Sequence, residues 1–175
     1  DKNNLTFKTH LGDNLNVTFK DNLYLMDFPS RPPKLLEDFE LSQLEEALGK
    51  KPIKVLAYRD LIAIYDNEDD IRSINPDMEK LKQLEFPSIV ATSIGRVADF
   101  VSRNFAPKLG IPEDPVTGST HCELIPYWSE VLDKKQMIAH QLSDRGGIIY
   151  CGNNHDRVSI GGEAVTFLRG EIEVL

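Results

Sequence analysis

The sequence has little cysteine, no long apolar run and a shortage of positive charge, and each lack excludes a class of protein. Its two cysteines, Cys122 and Cys151, form no disulfide framework and fit a reducing compartment. No apolar stretch approaches the roughly 20 residues of a membrane-spanning helix. The net charge of −8 leaves no basic stripe of the kind that binds nucleic acid. With no signal-peptide pattern, we expect a cytoplasmic protein without membrane or nucleic-acid partners.

What is present is enough for one folded domain, or one and a fraction. The 175 residues are 41% hydrophobic and 27% charged, which is ordinary for a globular protein with its own core. The chain opens at Asp1 and passes directly into strand-like sequence. From this opening we expect that the chain is a portion of a longer protein.

Alternating apolar and polar residues predict strands at both ends of the chain. Residues 1–28 read as an antiparallel meander of short strands. Helices are predicted at 41–48, closed by Gly49, and at 77–84, with an acidic loop at 67–70. A turn near Asp60 separates two further strands. The closing strands are predicted at 137–142, 148–150, 157–160, 164–168 and 172–175.

A helix that is apolar nearly all round is predicted at about residues 119–132. Such a helix is buried rather than lying on a surface. Many short strands and one encircled helix predict an α+β fold, in which a curled, mostly antiparallel strand barrel surrounds the central helix. Pro126 lies inside this helix and removes its hydrogen bond to Cys122, so we expect a kink there.

Asp114 is the first candidate for chemistry, in a rigid loop that leads into the predicted helix. It can carry a proton, hold a substrate amine by charge, or simply cap the helix. A helix N-terminus stabilises a nearby carboxylate in its charged form. This favours an anionic orienting or amine-binding role over a general acid at neutral pH. The adjacent Glu113 adds a second negative charge, which repels an anionic substrate unless the helix amides offset it.

Gly118, Ser119 and Thr120 form the second candidate, a place where helix amides can bind a carboxylate. Glycine lets the backbone approach a ligand closely, and the first N–H groups of a helix have no partner within it. The alternative is an ordinary helix start, with Thr120 and Glu123 at the spacing of a capping box. Both interpretations can hold together.

Nucleophilic and metal chemistry receive weaker support. Ser119 lacks the surroundings of a hydrolase nucleophile elbow, and Cys122 is typical of a small core residue. Cys122 and its neighbour His121 do not face each other on a helix. The four histidines show no metal-ligand spacing, so no metal site is predicted. Ser102-Arg103 and the turn at 141–147 can line a cleft or be structural.

Several segments together resemble the phenazine-biosynthesis isomerase (PhzF-like) family, in the family's order and over essentially the whole chain. They are Glu113-Asp-Pro-Val-Thr-Gly-Ser119, Pro126-Tyr-Trp128, Arg103-Asn-Phe-Ala-Pro107, Gln141-Leu-Ser-Asp-Arg-Gly-Gly147 and Arg157-Val-Ser-Ile-Gly-Gly-Glu-Ala164. The resemblance implies a diaminopimelate epimerase-like fold of two similar domains with the active site between them. It also implies proton shuttling without cofactor or metal, and a homodimer. Asp114 matches the family's active-site aspartate, and Gly118 with Ser119 matches its substrate-binding helix start.

Two family segments have no match in the chain. They are an Asn-Leu-Ser-Glu-Thr-like segment, whose glutamate is the general acid/base, and a Gly-His-Ala-Thr-like segment. The resemblance therefore implies the C-terminal portion of such a protein. On this interpretation residues 1–28 link from, or belong to, an absent N-terminal domain. Residues 29–160 form the C-terminal barrel domain. Residues 161–175 are closing strands that can pack back on the N-terminal domain.

The sequence thus predicts a PhzF-like isomerase or epimerase that acts on a small amino- and carboxylate-bearing substrate. Asp114 and Ser119 are the expected catalytic residues, and Gly118, Ser119 and Thr120 the expected substrate-binding residues. We expect the isolated chain to be inactive, because the principal proton carrier lies outside it. The alternative is a non-catalytic ligand-binding or dimerisation protein that retains the fold.

Overall fold

Twelve strands form one mixed sheet in the computed structural model, which describes residues 3–12 and 14–173. In chain order the strands are β1 Asn4–Lys8, β2 Asn14–Lys20, β3 Leu23–Pro29, β4 Lys34–Leu35, β5 Lys54–Ala57, β6 Leu61–Ile64, β7 Ile89–Ile94, β8 Phe100–Ala106, β9 Ile111–Asp114, β10 Gln136–Gln141, β11 Gly147–Asn154 and β12 Arg157–Gly162. Their order across the sheet is β1-β2-β3-β12-β11-β10-β8-β7-β6-β5-β4, and β9 pairs with β8. The pairs β6–β7 and β8–β10 are parallel, and the other pairs are antiparallel.

The predicted barrel is not closed. Strands β1 and β4 end the strand order, and in the part of the chain that the structure describes they do not pair with each other. The first meander continues directly into the main sheet, because β3 pairs with β12 from Tyr24↔Gly162 to Pro29↔Arg157. The domain boundaries after residues 28 and 160 stay a prediction.

Alternating side chains divide the sheet into two apolar faces. Leu61 and Ala63 of β6 contribute to one cluster, and Ile62 and Ile64 to the other. Three short helices cover the first face: α1 Leu41–Leu48, α2 Glu68–Ser73 and α3 Met78–Gln83. Gly49, at φ 76°, ends α1 in the left-handed conformation, as the sequence predicted.

The long helix α4, Gly118–Leu132, covers the second face. Its Leu124, Ile125 and Trp128 pack in one cluster with side chains of β5 to β8 and of β10 to β12, so the sheet curves around this helix. The predicted burial of the central helix is therefore confirmed. The carbonyl of Cys122, which Pro126 leaves without its helical partner, accepts a hydrogen bond from the N–H of Arg31 at 2.9 Å. The kink itself stays a prediction.

Three local predictions are wrong. The predicted acidic loop at 67–70 is instead the N-cap and first turn of α2, because the Asn67 side chain accepts a hydrogen bond from the amide of Asp70 at 3.1 Å. No strand forms at 164–168 or at 172–173; residues 163–173 run without regular structure, and Phe167 is fully exposed. The remainder of the last predicted strand, residues 174–175, lies outside the described residues. Lastly, α4 has no capping box, because Thr117 is its N-cap and Thr120 lies inside it.

The meander β1–β3 presents an apolar face that is largely open to solvent. Its strands are in register so that Leu5 lies opposite Val17, and Val17 opposite Met26. The Phe19 and Tyr24 rings lie on the same face, with centroids 4.9 Å apart. The exposed apolar side chains of the three strands are Leu5, Phe7, Leu15, Phe19, Tyr24 and Met26.

Candidate functional site

Asp114 lies at the end of β9, immediately before the segment that leads into α4. Strand β9 pairs with β8, where Asp114 lies opposite Asn104. The side chain is half-buried, and its Oδ2 accepts a hydrogen bond from the Thr117 hydroxyl at 2.6 Å. Thr117 is the residue that precedes the first turn of α4. The fold therefore places the Asp114 carboxylate beside the N-terminus of the central helix, as the sequence predicted.

Gln141, at the end of β10, joins this segment to the sheet. Its amide oxygen accepts a hydrogen bond from Thr117 N at 2.9 Å. Its amide nitrogen donates to the carbonyl of Asp114 at 2.7 Å and to the Thr117 hydroxyl at 3.1 Å. The side chain is 1% exposed, so these bonds form away from water. Sequence reasoning left Gln141 between a cleft-lining and a structural role, and the structure places it against the Asp114 backbone.

The start of α4 contains the three predicted binding residues in different surroundings. Gly118 borders a cleft, and Ser119 is half-buried. Thr120 is buried: its hydroxyl donates to Asp60 Oδ2 at 2.8 Å and accepts from Asn104 Nδ2 at 2.7 Å. Only the backbone amide of Thr120 therefore remains for the predicted ligand contact.

A cleft of about 520 Å³ lies beside the start of α4. Arg145 is the basic residue among the described residues that line it, and Glu163 is the acidic one. The other lining residues are Met26, Val116, Gly118, Gly146, Gly147, Ile148, Ile149, Tyr150, Ile160, Gly161 and Gly162. Asp114 and Ser119 are not among them. The turn at 141–147 therefore lines a cleft through its Arg-Gly-Gly end, one of the two roles that the sequence left open.

A larger groove of about 680 Å³ lies elsewhere, between β4, α1 and the end of α3. Leu35, Phe39 and Phe86 line it together with Glu37, Asp38 and Glu85. We place the candidate site at the smaller cleft, because that cleft contains the N-terminus of α4 and a side chain of opposite charge to a carboxylate ligand.

A second, buried polar group joins Glu123 of α4 to Asp60, the residue before β6. Glu123 is 0% exposed, and its Oε2 accepts a hydrogen bond from the N–H of Asp60, a residue that is also 0% exposed. Burial, followed by the nearby Asp60 charge, raises the pKa of Glu123 to about 7. Sequence reasoning missed this pair, because 62 residues separate its members and Glu123 looked like a helix cap.

His121 and Cys122, the neighbouring pair considered for thiol chemistry, are buried core residues. His121 Nδ1 lies 2.7 Å from the carbonyl of Thr117, and burial lowers the pKa of its ring. Cys122 is 3% exposed, and burial raises the pKa of its thiol. In the described part of the chain, no three His, Cys, Asp or Glu residues are grouped so that they can hold a metal ion. Within the same residues, no helix is long and apolar enough to cross a membrane.

Comparisons with known proteins match the chain to one family. The model of a family described as phenazine biosynthesis-like protein, PhzC-PhzF, matches residues 5–170. The chain is 42% identical over 161 residues to an uncharacterized isomerase of Pseudomonas aeruginosa, covering 91% of this chain and 61% of that relative. An uncharacterized isomerase of Halalkalibacterium halodurans is 40% identical over 171 residues, covering 96% of this chain and 64% of the relative.

Solved structures show the same fold. The crystal structure of a PhzF-family phenazine biosynthesis protein from Enterococcus faecalis superposes with a TM-score of 0.91 at 40% identity, covering 98% of this chain and 65% of that one. A predicted epimerase from Pseudomonas aeruginosa shares the fold alone, with a TM-score of 0.68 at 16% identity. The chain thus spans 61–65% of the length of the relatives that are at least 40% identical to it. Because this is most of their length, the comparisons do not support the expectation of a C-terminal portion only.

Proposed function

The chain belongs to the phenazine biosynthesis-like (PhzC-PhzF) family. We propose that it functions in an isomerase or epimerase that moves a proton on a small substrate. The observation that carries the proposal is the position of the Asp114 carboxylate, which Thr117 holds at the start of α4, the helix whose first residue, Gly118, lines the cleft. Relatives at 42% and 40% identity are named uncharacterized isomerases, which supports the general class.

The proposed substrate contains an amine and a carboxylate. Its carboxylate meets the N–H groups of the first turn of α4 and the side chain of Arg145, because both Gly118 and Arg145 line the cleft. Its amine meets Asp114, whose charge is opposite. Asp114 orients the substrate or assists the proton transfer, and Ser119 contacts the same acidic group.

The reaction class needs no redox partner. A base removes a proton from one carbon, and a proton returns to the opposite face of that carbon or to a neighbouring position, so electrons and atoms balance. By the family resemblance the principal proton carrier is a glutamate outside this chain. The homodimer and the cytoplasmic location implied earlier remain part of the proposal.

Exchange of substrate hydrogen with solvent deuterium tests the proposal. The protein expressed from its complete reading frame is incubated in D₂O with a dihydro-hydroxyanthranilate, the type of substrate that the family resemblance implies, and with a panel of small amino acids. Deuterium incorporation is followed by mass spectrometry. We expect exchange with at least one compound, and a roughly 100-fold or greater loss in Asp114→Asn. Asp133→Asn is the matched control, because it removes an exposed carboxylate at the other end of α4.

Two results would contradict the proposal. Binding of an amino acid without exchange favours the non-catalytic ligand-binding alternative. Equal exchange by the wild type and Asp114→Asn removes Asp114 from the mechanism. The same assay on the 175-residue chain alone measures whether it is inactive by itself, an expectation that the comparisons do not support.

A further inference from the structure

Thr117 connects the Asp114 carboxylate to the core of the protein. Its hydroxyl has a single hydrogen, which is donated to Asp114 Oδ2 at 2.6 Å. Hydroxyl-to-carboxylate bonds of about 2.5–2.7 Å belong to the charge-assisted class, which is roughly twice as strong as neutral hydrogen bonds. Since that hydrogen is committed, the Thr117 oxygen accepts the bond from Gln141 Nε2 at 3.1 Å. The bonds therefore run in one direction, from Gln141 to Thr117 to Asp114.

The orientation of the Gln141 amide is fixed by its other partners. The N–H of Thr117 can only donate, so it identifies the Gln141 oxygen, at 2.9 Å. The carbonyl of Asp114 can only accept, so it identifies the Gln141 nitrogen, at 2.7 Å. A reversed amide would lose both bonds. One buried side chain therefore holds the backbone of Asp114 and both the backbone and the side chain of Thr117.

A second contact joins the same two segments of chain. The Ser143 hydroxyl donates to the carbonyl of Pro115 at 2.7 Å and accepts from the N–H of Gly146 at 3.1 Å. The segment 114–117 is thus bound by side chains at both Gln141 and Ser143. Within the described residues no hydrogen bond reaches Asp114 Oδ1, so one carboxylate oxygen is held and the other is free.

We propose that Thr117 and Gln141 are positioning residues, which hold Asp114 Oδ2 and thereby present Oδ1 as the oxygen that meets the substrate. This inference rests on the proposed function and adds which oxygen of Asp114 acts and what holds it. Small errors in the placement of a reacting group reduce rates strongly, because reacting atoms must lie about 3–3.5 Å apart and aligned. Thr117 and Gln141 therefore affect turnover through Asp114 without touching the substrate.

The decisive variant is Thr117→Val, which removes the hydroxyl while keeping the shape of the side chain. We expect kcat for deuterium exchange to fall roughly 10- to 100-fold, with KM changed by less than about threefold. Thr117→Ser restores the hydroxyl and is expected to restore kcat to within about threefold of the wild type. A purely structural role of Thr117 predicts equal kcat in Thr117→Val and the wild type, once thermal unfolding shows that both are folded.

A second pair of variants tests Gln141, the first donor in the series of hydrogen bonds that ends at Asp114. Gln141→Leu removes all three bonds of that side chain, whereas Gln136→Leu changes an exposed glutamine at the other end of the same strand. We expect Gln141→Leu to lower kcat in the same range as Thr117→Val and Gln136→Leu to leave it unchanged. Should Thr117→Val not fold, this pair still decides the question.

Crystal structures separate this inference from the proposed function. If the wild type exchanges no compound, the proposed function fails, yet the placement of Asp114 is still measurable. We expect the Asp114 carboxylate to leave its position in Thr117→Val and to keep it in Thr117→Ser. An unmoved carboxylate in Thr117→Val would overturn the inference, whatever the activity.

Discussion

Arg103 binds Glu113 through two parallel hydrogen bonds, Nε to Oε1 at 2.7 Å and Nη2 to Oε2 at 2.9 Å. The same guanidinium donates from Nη1 to the carbonyls of Ile71 and Ile74, at 3.3 and 2.8 Å. The acid that precedes Asp114 is thus paired, so its charge does not oppose an anionic ligand in the way that the sequence suggested. Arg103 also connects β8 to the end of α2.

Arg103→Lys is expected to destabilise the protein by about 1–3 kcal/mol, because an ammonium cannot reproduce the forked pair and the two carbonyl bonds. The pair is mostly buried, with side-chain exposures of 14% and 22%. Urea unfolding gives the free energy. Arg96→Lys is the control: its side chain is 60% exposed beside Asp69, and we expect a change below about 0.5 kcal/mol. Equal effects in the two variants would contradict this prediction.

Glu123 should make stability fall as pH rises. Its folded pKa of about 7 lies above the ordinary 4.5, so its protonated form is favoured in the folded state. The contribution is present below about pH 4.5 and is lost as pH rises through 7. It amounts to about 3 kcal/mol by proton linkage. Glu123→Gln removes this dependence while keeping the shape.

The measurement for Glu123 is urea unfolding at several pH values between 4.5 and 8.5. We expect the stability of Glu123→Gln relative to the wild type to increase from pH 4.5 to about 7 and to level off above that, where Glu123 is ionised in both the folded and the unfolded state. Glu130→Gln, an exposed change on the same helix, should show no such trend. A pH-independent difference between Glu123→Gln and the wild type would show that Glu123 is ionised throughout.

Gly147 is expected to tolerate no side chain, because a Cβ there would lie 2.3 Å from Val116 Cγ2. Gly147→Ala should cost about 1–3 kcal/mol and displace the segment that leads into α4. Val116→Ala removes the clashing methyl group, so the double variant should recover most of the loss. Gly162→Ala is the control, since nothing lies within 4 Å of its added Cβ. Additive effects of Gly147→Ala and Val116→Ala, measured by thermal unfolding, would refute the clash.

Neither cysteine should react with iodoacetamide in the folded protein at pH 7.5. Burial raises the pKa of Cys122, and it raises the pKa of Cys151 to about 12, so both are protonated as well as inaccessible. Mass spectrometry should find both labelled only after denaturation. Rapid labelling of native Cys122 would revive the thiol-nucleophile interpretation.

The sequence predicted best where a local pattern determines the structure. Helix α1 ends at Gly49, since a glycine after an apolar helical segment supplies the left-handed residue. The burial of α4 followed from apolar residues around its whole circumference. Asp114 was found because its position in the loop, and the family resemblance, both point to the start of α4.

Prediction from the sequence was wrong or incomplete where a residue contacts a partner that is distant along the chain. Thr120 and Glu123 have capping-box spacing, yet Asp60 binds both, and nothing local distinguishes the two arrangements. The exposed apolar residues after residue 163 match a strand pattern, but a strand needs a neighbour, which no described residue provides. Gln141 holds Asp114 across 27 residues, a relation that only the parallel pairing of β8 and β10 makes possible.

The open apolar face of β1–β3 has a consequence for the behaviour of the protein in solution. Its exposed aromatic and aliphatic side chains favour self-association, while the net charge of −8 makes the molecules repel one another at low ionic strength. Added salt shortens the range of that repulsion to about 10 Å at 0.1 M and leaves the apolar attraction intact. Light scattering at increasing salt should therefore show growing particles, so purification and storage favour dilute, low-salt buffers.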